Sequence, residues 1–177
     1  EIDEQNSLSA EQYFKSLLIA SEKALEFYDD DKICFFDRDM EKAILREEEI
    51  KRELALAADG KADERLVLQY QPILDLTTDR VCGFEALARF DSRGFGRISP
   101  LEFIPIAEET KLIVPLGYQI IRKALQFLQT LQSNGYSNLH ISINISAIQL
   151  LRGDFLPALE RIVRDTGVSP ECINLEI

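Results

Sequence analysis

The succession strand, helix, strand over residues 140–177 constrains the fold of this chain more than any other feature. His140–Ser146 reads HISINIS and Ile173–Ile177 reads INLEI, each with apolar residues at alternate positions. Residues 154–166 between them repeat at helical spacing and stop at Gly167, the residue type that most readily closes a helix in the left-handed conformation. Neighbouring strands joined by a crossover helix run parallel, since a tight hairpin joins only antiparallel ones. All-helical and purely antiparallel folds are thereby excluded. An α/β fold is expected, as a doubly wound sheet or a barrel. The chain has 177 residues, 46% of them hydrophobic, enough for one large domain or for a small domain and part of another.

Two more strands are expected upstream. Leu66–Leu74 is strand-like but broken by Pro72, which cannot donate to a ladder. Val81–Phe90 is the second, and the interval Asp75–Arg80 is short enough for a hairpin. Ser99-Pro100-Leu101-Glu102 predicts a helix start, with Ser at the cap, Pro in the first turn and Glu as the reciprocal capping partner. Phe103, Ile104 and Ala107 would form its buried face. A longer helix is predicted from about Pro115 to Gln132, with Ile120, Ile121, Ala124, Leu125, Leu128 and Leu131 turned inward and Asn134-Gly135 as its end.

Strands covered on both faces by helices should be almost wholly apolar, and these are not. Ser142, Asn144 and Ser146 share one face of the first parallel strand, and Asn174 and Glu176 one face of the second. In Gly83–Phe90, GFEALARF, one face carries Gly83, Glu85, Leu87 and Arg89. A half-exposed antiparallel sheet would alternate in this way, but the crossover helix argues for covered strands. In a barrel the polar residues would point into the lumen, where sites form at the carboxyl ends of strands. Glu85, Asn144 and Glu176 could then converge. Two carboxylates and an amide oxygen are hard ligands suited to Mg²⁺ or Mn²⁺, and the Arg89 guanidinium suits bidentate contact with phosphate. An internal hydrogen-bonded network with one salt bridge explains the same residues. The pattern leaves both readings open.

The first third of the chain differs in texture. Ser9 can cap a helix, with Gln12 three residues on, and Tyr13, Phe14, Leu17, Leu18, Leu25 and Tyr28 recur at helical spacing up to the run Asp29-Asp30-Asp31. Lys32–Phe36 is a short strand candidate. Residues 38–57 read as a second helix with a thin stripe of Met40, Ile44, Lys51 and Leu54, expected to be largely solvated, and Ala58–Glu64 reads as a linker. The division expected is therefore 1–37, a linker segment 38–65, and a domain from 66 to 177. Residues 1–65 hold 19 acids against 10 bases, and residues 66–177 hold 12 against 10. That balance argues against duplex nucleic acid as a partner. Cys34, Cys82 and Cys172 are scattered and odd in number, which fits reduced thiols in a cytoplasmic setting. No apolar run approaches the length of a membrane span, so no membrane contact is expected from this segment. The opening residue Glu1 is read as the start of a processed or excised piece.

From Leu66 to Ile177 the chain resembles the first half of an EAL domain. The resemblance is carried by Glu85-Ala86-Leu87 followed by Arg89, by Tyr70-Gln71-Pro72-Ile73 before it, and by Ser99-Pro100-Leu101-Glu102-Phe103-Ile104-Pro105 after it. Ala107-Glu108-Glu109-Thr110 and Asn144-Ile145-Ser146 complete the series. The resemblance implies a partial (β/α)₈ TIM-type barrel with one antiparallel strand, and a parent protein that hydrolyses the bacterial messenger cyclic di-GMP to linear pGpG with two Mg²⁺ or Mn²⁺ ions. It implies metal ligation by Glu85, Asn144 and Glu176, phosphate contact by Arg89, substrate contact by Leu87, and a place for Gln71 at the floor of the site. It also implies a homodimer as a family habit, and upstream GGDEF or sensory domains. A non-catalytic module that binds cyclic di-GMP is the alternative. Family members add a Thr-Glu pair after the position of Glu176, then a paired Asp-Asp, a Lys, a Glu and a Gln. Residues 66–177 alone are accordingly expected to be inactive. Leu17–Leu25 resembles the penultimate helix of a GGDEF domain, so residues 1–37 are read as the tail of one. Lys111 stands where a Gly is common in the family, in a helix-end turn.

Overall fold

A computed structural model of the chain describes residues 10–25 and 36–177. They fall into two units divided between Glu49 and Ile50. In the first unit, helix α1 (Ala10–Leu25) buries Ile19 and exposes Tyr13, Phe14, Leu17 and Leu18. Helix α2 (Arg38–Ala58) starts at Asp37, whose Oδ1 accepts the N–H groups of Asp39 and Met40 at 2.8 Å each. That satisfies two of the donors a helix start leaves open. The expected cap at Ser9, the stop at Asp29-Asp30-Asp31 and the strand at Lys32–Phe36 lie outside the described residues, apart from Phe36, which is in no strand.

The last two turns of α2 correct the reading of a largely solvated linker helix. Ile50, Leu54 and Ala57 are completely buried and join the main core of the second unit. Their spacing of four and three residues is a helical stripe that shares Leu54 with the expected one but runs through Ile50 and Ala57 in place of Lys51. Gln119 Nε2 donates to the carbonyls of Ala57 and Ala58 at 2.8 and 3.3 Å, closing the carboxyl end of α2.

The second unit is built on a five-stranded sheet. Strands β1 (Leu66–Asp75), β2 (Arg80–Ser92), β4 (His140–Asn144) and β5 (Ile173–Glu176) lie in that order, and β3 (Gly96–Ile98) pairs with the far end of β2. The β1–β2 pair is the expected antiparallel hairpin. Its turn is organised by the Asp75 carboxylate, which accepts the Thr77 N–H at 2.8 Å and the Thr78 hydroxyl at 2.9 Å. These bonds hold the Asp75 carboxyl below the usual range. β4 runs parallel to β2, and β5 parallel to β4. Pro72 does not break β1: it sits in register with Phe84. β1 is an edge strand among the described residues, so a missing N–H on its free side costs no ladder bond. The three-residue strand β3 was not expected from the sequence.

Helix α3 (Pro100–Glu109) begins at Ser99, whose hydroxyl accepts the Leu101 N–H. It buries Phe103, Ile106 and Ala107, while Ile104 is only half-buried. Helix α4 (Ile113–Ser133) carries the chain to β4, and the short α5 (Ala147–Leu150) and α6 (Phe155–Thr166) carry it to β5. Gly167 closes α6 at φ 68°. The register places Leu66, Leu68, Tyr70, Phe84, Ala86, Ala88 and Phe90 on one face of the β1–β2 hairpin. There Phe127 of α4 stacks on Tyr70 with ring centroids 3.6 Å apart and meets Phe84 edge-on at 5.4 Å. Ile120, Ile121, Ala124, Leu125 and Leu128 complete the layer as expected. Gln71, Glu85, Leu87 and Arg89 therefore lie on the opposite face.

Candidate functional site

Glu85 occupies the middle of β2, and the register of three neighbouring strands arranges the rest of the site around it. Directly opposite on β1 is Gln71, and residues directly opposed in an antiparallel pair project to the same face. On the other side Glu85 pairs with Ser142 of β4, and Asn144, two residues on, projects to the same face at the strand's carboxyl end. Asn144 is in turn in register with Glu176 on β5. The backbone continues that link, since the Ile145 N–H donates to the Glu176 carbonyl at 2.7 Å.

Two side chains touch. Asn144 Nδ2 donates to Glu85 Oε1 at 2.8 Å. Glu176 joins them by strand register, with its side chain exposed, as are those of Gln71 and Asn144; Glu85 is half-buried. Arg89 and Glu85 share a face but form no ion pair with each other. Arg89 Nε instead donates to Gln69 Oε1 at 2.9 Å, and Nη1 donates to the Ala88 carbonyl at 2.8 Å. The reading of one internal salt bridge is thereby corrected. The strand holds both charges because each is oriented by an amide, Glu85 by Asn144 and Arg89 by Gln69. Leu87, half-buried, lies between them on the same face.

The donors brought together are all oxygens or can be, through the Glu85 and Glu176 carboxylates and Asn144 Oδ1. Among the described residues no group of three or more His, Cys, Asp or Glu side chains is placed to hold a metal ion. Behind Asn144 a cavity of about 340 Å³ separates the strand ends from α3, α4 and α5. Glu108, Ser146 and Gln149 are among the residues that line it.

Several residues of this arrangement had no role in the sequence reading. Gln69 lies two residues before the expected Gln71, and only the strand register reveals that it meets Arg89. Ser146 accepts the Ile148 N–H at its hydroxyl, while its own N–H donates to Gln149 Oε1. Ser-x-x-Gln is a readable capping-box pattern. Glu108, which receives the Ser146 hydroxyl at 2.6 Å, gives no local signal of that contact.

The family model for the EAL domain matches residues 52–177. The Biofilm architecture maintenance protein MbaA of Vibrio cholerae serotype O1 is 34% identical over 146 residues, covering 82% of this chain and 18% of that protein. A protein of Escherichia coli strain K12 named "Probable cyclic di-GMP phosphodiesterase PdeI" is 40% identical over 116 residues, covering 63% of this chain and 15% of its own length. Among solved structures, the PaMucR phosphodiesterase in its c-di-GMP complex superposes with a TM-score of 0.67 at 27% identity, covering 72% of this chain and 51% of that one. The chain thus spans about half of that structure and less than a fifth of either curated relative. The matched segment takes in more than two thirds of the residues, together with the whole sheet and the Glu85–Asn144 contact, and the chain belongs to the EAL domain family.

Proposed function

We propose that the protein carrying this chain hydrolyses cyclic di-GMP, breaking one phosphodiester bond to give linear pGpG. The observation that carries the reading is the 2.8 Å bond from Asn144 Nδ2 to Glu85 Oε1. It turns the donor side of the amide toward the carboxylate and leaves Asn144 Oδ1 as an acceptor. The PaMucR phosphodiesterase in complex with c-di-GMP supports the choice of substrate, as does the name of the Escherichia coli relative.

Glu85, Asn144 and Glu176 would hold Mg²⁺ or Mn²⁺ at one edge of a site, since oxygen-only donors suit hard cations. Three donors form part of the shell that two such ions require. A divalent ion bound there supplies Lewis acidity to a phosphate oxygen and lowers the pKa of a coordinated water. Arg89, steadied through Nε and Nη1, offers Nη2 to a phosphate oxygen and stabilises charge as it develops. Leu87 gives an apolar surface beside it, and Gln71 lines the floor opposite Glu85. On the same reading β1, β2, β4 and β5 form part of a (β/α)₈ barrel wall, which the antiparallel β1 followed by the mutually parallel β2, β4 and β5 supports. Residues 1–37 are read as the tail of a GGDEF-like domain, on the resemblance of Leu17–Leu25.

The test uses the full-length protein with cyclic di-GMP and Mn²⁺, following pGpG by chromatography. Glu85→Ala is expected to abolish turnover. Wild-type protein that binds the nucleotide without releasing pGpG would establish a binding module instead. Unchanged turnover in Glu85→Ala would reject the assignment of Glu85.

A further inference from the structure

We infer that Glu108 is a positioning residue, which acts through Ser146 to hold Asn144 against Glu85; the inference rests on the reading of Asn144 and Glu85 given above.

Asn144 is the last residue of β4 and is exposed. The turn that follows it lines the cavity of about 340 Å³ on one side, while Ile145 is buried in the core on the other. A segment beside a void gains little from dispersion on that side, so on the cavity side hydrogen bonds fix its position. Those bonds converge on Ser146. Its N–H donates to Gln149 Oε1 at 3.1 Å, and its hydroxyl accepts the Ile148 N–H at 3.2 Å. Both contacts are local and would travel with the turn if it moved. Two contacts tie the turn to other elements: the Ile145 N–H donates to the Glu176 carbonyl of β5 at 2.7 Å, and the one made by a side chain is the Ser146 hydroxyl donating to Glu108 Oε1 at 2.6 Å, across 38 residues, from the last turn of α3. Hydroxyl-to-carboxylate bonds of this length are among the stronger ones.

The residue type argues for the same role. Glu108 is half-buried beside a mostly apolar cavity, next to Ala107, which is completely buried. A carboxylate there carries a desolvation cost that an apolar side chain would avoid. A second contact reaches the turn from α4. Gln149 is 2% exposed and lies against Gly117, where an added Cβ would stand 2.1 Å from Gln149 Nε2. Gly117→Ala would therefore push Gln149 off the Ser146 N–H, although alanine is the better helix former. Glu108 and Gly117 thus approach the turn from two helices, and both substitutions should release Asn144.

The experiment is a Mn²⁺ titration of the metal-stripped full-length protein, read by the electron paramagnetic resonance of free Mn²⁺, beside kcat and KM for cyclic di-GMP. Glu108→Ala and Gly117→Ala are expected to weaken Mn²⁺ binding about 10- to 100-fold, the usual effect of losing a residue that orients a ligand. KM should change less than about twofold, because Arg89 is untouched. Glu108→Gln keeps an acceptor for the Ser146 hydroxyl and should restore binding to within about threefold of wild type. A merely structural role predicts a lower melting temperature in Glu108→Ala with wild-type Mn²⁺ affinity, and that result would overturn the inference. If Glu85→Ala loses Mn²⁺ while Glu108→Ala keeps it, the site reading stands and the positioning role falls. If the wild type binds no Mn²⁺, both fall.

Discussion

Arg89 is the residue whose surroundings say most about its task. A guanidinium near a carboxylate on the same strand face would ordinarily be neutralised by it, yet Arg89 donates to Gln69 and to a carbonyl. Neutral partners orient the side chain without cancelling its charge, which suits a group reserved for a phosphate. Arg89→Ala is expected to lower kcat/KM for cyclic di-GMP by as much as about 150-fold, as the loss of a charged hydrogen bond of up to about 3 kcal/mol implies. Gln69→Leu keeps the charge and removes its guide, so a smaller loss of about tenfold is expected, mainly in KM. Steady-state kinetics separate the two. Equal losses would mean that Gln69 does more than orient Arg89.

Between elements, the turn from α3 to α4 carries an avoidable strain. Lys111 stands there at φ 60°, in the left-handed region, where a Cβ crowds the following carbonyl at a cost of about 1–2 kcal/mol. Its side chain is exposed, so nothing is lost from the core by removing it. Lys111→Gly is expected to stabilise the fold by about 0.5–1 kcal/mol, after allowing for the greater freedom of glycine in the unfolded chain. Urea unfolding measures it. The helices on either side were readable from their own residues: Ser99 and Pro100 at one start, Asn134-Gly135 at the other end. β3 was not, since three residues are too few to show a period of two.

At the scale of the second unit, a buried ion pair joins segments distant in sequence. Glu53 of α2 and Arg65 before β1 are 2% and 7% exposed, and Arg65 Nη1 lies 3.3 Å from Glu53 Oε1. The same carboxylate oxygen accepts the Arg93 N–H at 3.2 Å, from the turn between β2 and β3. Removing one partner strands a charge inside the protein, so Glu53→Ala should cost about 3–5 kcal/mol in urea unfolding. Replacing both, as Glu53→Met with Arg65→Met, should cost much less, because no lone charge remains. A loss in the double variant equal to the sum of the Glu53→Met and Arg65→Met losses would show that the pair is not coupled. Among the described residues no helix is long and apolar enough to cross a membrane, in line with the absence of any long apolar run in the sequence.

What the sequence determined by itself was local and periodic. Alternation in HISINIS and INLEI named the strands and the face each residue takes, because successive side chains point oppositely whatever the strand pairs with. The crossover helix made those strands parallel, and the ordered motifs around Glu85 identified the family. Register and contact were decided only in three dimensions. Pro72 could remain in a strand because one side of β1 has no partner strand among the described residues, and Ile50, Leu54 and Ala57 found a core that the composition of α2 did not advertise. Gln69 met Arg89, and Glu108 met Ser146, across 20 and 38 residues. The physical reason is that periodicity follows from backbone geometry within one element. A hydrogen bond between elements depends on how loops close and faces pack, and no short stretch of residues encodes that.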